Sequence, residues 1–276
     1  MNTPAPNRID KLNQLTTPLL EWYSSAAREL PWRAPASETH RPEPYHVWVS
    51  EIMLQQTRVE AVKGYYARFL TAFPNIKSLA NAPQDELMKL WQGLGYYSRA
   101  NNLKRAAIEI EERFHGEFPR TYQEILSLPG IGEYTAGAIA SIALGEAVPA
   151  IDGNVYRIYT RLFEDDSDIT KAAFKKQLRS ELLLTIPSEA PGIYNQAWMD
   201  LGATICLPNG APLCDKCPFA SRCQAHFHDS WSAFPVKPPK KKRRIEEKTV
   251  ILLEYQGTYR RAAEAFGTME YQCQQH

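Results

Sequence analysis

The chain has 276 residues, 44% of them hydrophobic and 23% charged, with a formal net charge of +1, the profile of one large or two small globular domains. No run approaches the roughly 20 apolar residues that cross a bilayer, and the opening MNTPAPNRIDKLNQL lacks the basic and apolar regions of a secretory signal. A membrane-spanning helix is thereby excluded, and a reducing, intracellular (cytoplasmic) setting without membrane partners is expected.

In chain order, apolar residues recur at three- and four-residue spacing over 45–70, 85–93, 98–114, 135–144, 155–163 and 171–186, which predicts helices there. In the first of these, VWVSEIMLQQTRVEAV sets Glu51 on an apolar helix, where a charge must face a polar cavity or bear a desolvation penalty. Thr121 and Glu124 have the form of a capping box that opens a short helix ending at Leu128-Pro129. The string LPGIGEYTAGAI (128–139) then puts Gly130 and Gly132 directly before a helix. Both glycines permit positive φ and leave backbone N–H groups open at the positive end of that helix, a cradle for a phosphate. A GxG pair alone more often marks a plain turn. Asp152, in VPAIDGNVYRI, has an obvious helix N-cap role and, beside it, a possible chemical one.

Four of the five cysteines, Cys206, Cys214, Cys217 and Cys223, fall in the spacing C-x7-C-x2-C-x5-C, and Cys273 stands apart as a free thiol. Such a cluster in a reducing setting points to metal ligation over disulfides. Four thiolates hold either a [4Fe–4S] cluster or a single zinc ion, and the spacing leaves both open. Residues 1–236 carry 23 basic and 26 acidic side chains, whereas 237–248 (KPPKKKRRIEEK) carries seven and two. The latter reads as a basic linker, with KKKRR as a solvated run, a nuclear-localisation signal or a phosphate-contacting strip. No strand is predicted before residue 249. Residues 250–255 form the first plausible one, followed by a turn at Gln256-Gly257.

The strings SEIMLQQT, GLGYYSRANNL, LPGIGEYTAGAI, IDGNVYRI and NQAWMDLGA, followed by the cysteine cluster, occur in the order found in MutY-type adenine DNA glycosylases. The chain resembles that family, within the endonuclease III helix-hairpin-helix superfamily, over about residues 15–236. The resemblance implies base-excision repair, with monofunctional hydrolysis of the N-glycosidic bond of adenine opposite 8-oxoguanine or guanine. It implies Glu51 as the acid that protonates adenine and Asp152 as the carboxylate facing the sugar, supported by Tyr134 and Asn154. Tyr134 stands where lyase-competent members carry lysine, so no Schiff base is expected. Gln56 and Tyr96 match wedge residues, for which core packing is the plain alternative for Tyr96, and Arg33 and Gln196 match positions lining the adenine pocket. The resemblance also favours [4Fe–4S] at the cysteines, with one extra residue in the first gap and Lys216 and Arg222 turned to DNA phosphate.

The expected fold is all-α: two helical lobes around a DNA-binding cleft, with a short non-helical remnant at the carboxyl end. Residues 36–145 form a six-helix bundle with the hairpin, and 1–35 plus 146–236 form the iron–sulfur lobe. Residues 249–276 resemble the opening strand of a nudix-like 8-oxoguanine recognition domain and then depart from it near Tyr259. A truncated domain with one unpartnered strand is expected there, and with it a weakened preference for 8-oxoguanine. The expected partner is double-stranded DNA with A:8-oxoG or A:G mispairs, bound by a monomer. The alternatives are a glycosylase for oxidised pyrimidines or mismatched thymine, and a non-catalytic DNA-binding protein.

Overall fold

A computed structural model describes residues 6–33 and 41–238, and the backbone of 251–255, 258–265 and 268–274. Most of the basic linker, the turn at Gln256-Gly257 and the side chain of Cys273 lie outside the described residues. Residues 1–237 make up one unit and 238–276 a second.

Among the described residues of the first unit the regular elements are all helices. Helix α1 (Pro6–Ala26) is followed by α2 (Pro44–Leu54), α3 (Val59–Ala72), α4 (Ile76–Ala80), α5 (Gln84–Trp91) and α6 (Ser98–Phe114). Then come α7 (Tyr122–Leu126), α8 (Glu133–Ile139) with a π-helical turn at Ala140–Leu144, α9 (Gly153–Phe163), α10 (Ala172–Thr185), α11 (Pro191–Thr204) and α12 (Gln224–Phe227). The Thr121 and Glu124 capping box forms, each side chain taking the other's backbone N–H.

The helix expected over 45–70 is two helices. The apolar period runs on across the break, but Gln56 adopts φ 56°, a left-handed conformation that ends α2 and that few non-glycine residues occupy. The two hairpin glycines also differ. Gly130 has φ 75° and lies so close to Asn102 that an added Cβ would sit 2.6 Å from that residue's Cβ. Gly132 has φ −100°, so positive φ is used once in the hairpin, where two glycines were expected to permit it.

Apolar burial is concentrated in two clusters. One is built from α2 to α8 with Leu30 and Trp32, around the fully buried Trp48 and Trp91. The other joins α1 to α9, α10 and α11, around Leu12, Leu15, Leu19, Tyr159 and Tyr194. Met199 of α11 belongs to the first cluster while its neighbours Trp198 and Leu201 belong to the second, so α11 forms part of both. Asn195, also on α11, accepts from the Ala150 N–H at 3.0 Å and donates to Val148 O at 2.9 Å and Ser141 Oγ at 2.8 Å. Those bonds fix the extended run that delivers Asp152 to the start of α9.

In the second unit, β1 (Ile251–Tyr255), β2 (Thr258–Ala265) and β3 (Thr268–Gln274) pair as an antiparallel meander. Ile251 stands opposite Ala262, and Tyr259 opposite Gln274. The single unpartnered strand expected there is thus corrected. The string RRAAEAF has the composition of a helix, and ladder hydrogen bonding on both sides of β2 overrides that local preference.

Candidate active site

One cleft, with about 810 Å³ of empty space open to solvent, is lined by Glu51, Asp152, Tyr134, Asn154, Arg33 and Gln196. These are six of the residues singled out from sequence, brought together from five separate segments. Gln56, Tyr96, Gly130 and Gly132 are exposed on other turns, and Tyr96 is 60% exposed, which removes core packing as its role.

Glu51 sits near the end of α2, only 6% exposed, and its Oε2 has no hydrogen-bond partner. Burial raises its carboxyl from the ordinary 4.5 to about 7, with the nearby Tyr134 and Arg33 pulling back and Asp152 adding to the rise. A buried carboxyl that keeps a share of its proton at neutral pH can act as a proton donor. Tyr134 hydrogen-bonds Met199 Sδ at 3.7 Å. Burial, Glu51 and Asp152 push its phenol well above its usual value, so it stays neutral.

Asp152 is at once the N-cap of α9 and a wall of the cleft. Its Oδ1 accepts from the Asn154 and Val155 N–H groups at 2.8 and 3.0 Å, and its Oδ2 from Asn154 Nδ2 at 2.7 Å. Burial raises its carboxyl, and those donors together with Arg157 oppose the rise. Arg157 in turn donates to Asn154 Oδ1, Gly202 O and Cys206 O, each at 2.8 Å. Gly202 is needed for closeness: an added Cβ would lie 2.4 Å from Asn154 Cβ. Gly202→Ala should therefore push Asn154 off Asp152 and cost about 1–3 kcal/mol of stability, measured from the urea midpoint.

Sequence reasoning missed the support behind Arg33. Asp200, fully buried on α11, accepts from Arg33 Nη1 and Nη2 at 2.7 and 2.9 Å. It also accepts from Arg28 Nε and Nη2 at 2.8 and 2.5 Å. Burial alone would raise the Asp200 carboxyl, but Arg33 and Arg28 outweigh it and hold it below the usual value. The signal that found Glu51, an acid within an apolar helix, is equally present in NQAWMDLGA.

The four clustered cysteines line a second, mainly apolar cavity with Ile158, Leu162 and Phe219. Arg161 Nη1 lies 3.3 Å from Cys206 Sγ, and the Phe219 N–H points at Cys217 Sγ at 3.4 Å. Burial pushes the Cys217 thiol up to about 12, with the neighbouring cysteines adding to the rise. Among the described residues, no three His, Cys, Asp or Glu side chains converge tightly enough to hold a single metal ion.

Residues 49–182 match the HhH-GPD superfamily base excision DNA repair protein family. The adenine DNA glycosylase of Buchnera aphidicola subsp. Schizaphis graminum is 38% identical over 243 residues, covering 87% of this chain and 68% of that protein. The chain belongs to the adenine DNA glycosylase family. The mouse adenine DNA glycosylase is 42% identical over 226 residues, covering 80% of this chain and 44% of that protein, so the chain spans less than half the length of this family member. Among solved structures, a thermostable thymine-DNA glycosylase aligns with TM-score 0.69 at 26% identity, over 79% of this chain and 98% of that one. Endonuclease III in a non-covalent DNA complex aligns with TM-score 0.65 at 23% identity, over 80% and 97%. The family's all-α fold is thus seen in this chain's helical unit. Among its described residues no helix is long and apolar enough to cross a membrane.

Proposed function

We propose that this chain hydrolyses the N-glycosidic bond of adenine mispaired with guanine or 8-oxoguanine in double-stranded DNA. The observation that carries the reading is Glu51: a carboxyl raised to about 7, with one unpartnered oxygen, in a cleft shared with Asp152. The target adenosine is extruded from the duplex into this cleft, where Arg33 and Gln196 supply polar contacts to the base. Glu51 gives its proton to the purine ring, and the C–N bond breaks with its electron pair leaving on adenine. Asp152, held by Asn154, stabilises the cationic sugar. Water adds to that carbon, and its proton passes to the Glu51 carboxylate, which restores the acid.

No lysine is found among the described residues lining the cleft, which favours hydrolysis over a Schiff-base route. The hairpin at Gly130 and Gly132 would grip a backbone phosphate through its N–H groups, and a two-lobed arrangement suits the two apolar clusters, with Leu30, Trp32, Val148, Ala150 and Met199 joining the first from outside residues 36–145. Free adenine should be released from A:G and A:8-oxoG duplexes, with strand breakage only after alkali. Release of thymine or an oxidised pyrimidine in its place would transfer the site to another glycosylase chemistry.

Four thiols gathered on one mainly apolar cavity suit a thiolate-ligated group, and the family resemblance favours [4Fe–4S]. The N–H donors at Cys206 and Cys217 suit thiolate ligands. Cys206, Cys214, Cys217 and Cys223 would hold the cluster, which when bound ties the loop after α11 together and presents the exposed Lys216 and Arg222 to phosphate. Purified protein is expected to be yellow-brown with about four irons per chain. A colourless, zinc-loaded and fully active preparation would overturn this assignment.

A further inference from the structure

Two exposed turns share an unusual backbone. Gln56 (φ 56°) follows α2, and Tyr96 (φ 48°) precedes α6. They lie 40 residues apart in sequence, and among the described residues no hydrogen bond runs directly from one turn to the other. What joins them is Arg99, in the first turn of α6 and only 8% exposed. Its Nη1 donates to the carbonyls of Ile52, Met53 and Gln55 at 2.8, 3.0 and 2.7 Å. Its Nη2 donates to Leu94 O at 3.1 Å, Gly95 O at 3.2 Å and Thr57 Oγ1 at 3.4 Å. The guanidinium also lies 5.6 Å from the centre of the Tyr96 ring and 5.5 Å from that of Trp91.

The physical logic is that of a helix end. The last carbonyls of α2 have no partner within the helix and carry the negative end of its dipole. Because α3 does not begin until Val59, these groups would face inward unsatisfied. A buried cation with a planar fork of donors satisfies them, and the other arm of the same fork holds the turn before Tyr96. A lysine ammonium, with three donors around one point, cannot span both sets of acceptors.

We propose that Arg99 is a positioning residue for base extrusion: it locks the Gln56 and Tyr96 tips to each other and to the helix that carries Glu51. This rests on reading the chain as an adenine glycosylase whose two tips enter the base stack. With Arg99 in place, the tips meet the duplex at one fixed spacing while Glu51 stays registered to the extruded base. Without it, each left-handed turn is free to relax towards ordinary φ.

The test uses the full chain and its Arg99→Lys, Arg99→Gln and Thr57→Val variants, in single-turnover release of adenine. One duplex carries adenine opposite guanine; the other carries adenine opposite an abasic site, where pairing no longer resists extrusion. On the A:G duplex, Arg99→Lys and Arg99→Gln should lose at least about 30-fold in rate, but no more than about threefold opposite the abasic site, because extrusion is the step impaired. Thr57→Val deletes one Arg99 acceptor and should give a smaller loss with the same selectivity, which keeps the test open if the Arg99 variants fold poorly. The fluorescence rise of 2-aminopurine opposite guanine should slow in parallel. Equal losses on both duplexes would mark Arg99 as merely structural and overturn the proposal, as would unchanged rates on both. Failure of the unaltered protein to release adenine from either duplex would sink the glycosylase reading itself.

Discussion

The Glu51→Gln protein is expected to be more stable than the parent above pH 7 and to have lost adenine release. Both effects have one cause. The Glu51 carboxyl is raised in the folded state from 4.5 to about 7, so between those values the folded protein holds a proton that the unfolded chain has released. Stability therefore falls as pH rises through this window. The full cost of ionising the buried acid, roughly 3–4 kcal/mol, is present above pH 7. Glutamine occupies the same space with no charge to bury. Thermal melting at pH 8 should place the variant several degrees above the parent, a chain of this size moving about 2–4 °C per kcal/mol. The gap should close below pH 4.5, where the acid is neutral in both states. Glutamine has no proton to give, so single-turnover release should fall by at least about 100-fold. Parental activity in this variant would remove Glu51 from the chemistry.

The second large effect is expected at Asp200. Asp200→Asn leaves the Arg33 and Arg28 guanidinium groups facing each other in place of a shared carboxylate. Removing one member of a buried ionic cluster costs about 3–5 kcal/mol. Arg33 is 11% exposed and Arg28 29%, so Arg28 can turn partly to water, and about 3 kcal/mol is expected from urea unfolding at pH 7. The Asp200 carboxyl is held below its ordinary 3.8, so its stabilisation is complete above that value and is lost as pH falls through the folded-state value. The difference between parent and variant should shrink below pH 4. There is also a chemical consequence. Arg33 already opposes the upward shift of Glu51, and freed of Asp200 its charge acts on Glu51 with less compensation. The pH at which adenine release falls off should move down in Asp200→Asn, whereas a purely structural loss would lower the rate at every pH alike.

The parts of this site that were legible in the sequence are those where one residue conflicts with its surroundings. An acid inside VWVSEIML announces a cavity, and Glu51 lines one. At Asp152 the N-cap role and a place in the wall of the cleft go together. The residue uses one carboxylate oxygen for the two backbone N–H groups of α9 and the other for Asn154. Asp200 carried the same signal as Glu51, but its partners come from a segment some 170 residues earlier in the chain, and no local pattern pairs them. The break at Gln56 was hidden for another reason. Hydrophobic period reports which face is buried, and two helices that bury the same face in sequence look like one. The donors of Arg99, on a distant helix, help hold the left-handed turn there, and no local pattern announces them. Ladder pairing in β2 and β3 was likewise a property of neighbours that composition does not show.

If a buried, protonated Glu51 drives adenine release, the pH dependence of that release follows its carboxyl. Single-turnover release of free adenine from an A:G duplex should be measured from pH 5 to 9 at one salt concentration, since DNA affinity itself varies with salt. The rate should be high on the acid side and fall as pH rises through about 7, following the Glu51 carboxyl. A rate that is flat or rising across that window would remove Glu51 as the proton donor, and no adenine released at any pH would remove the glycosylase activity itself.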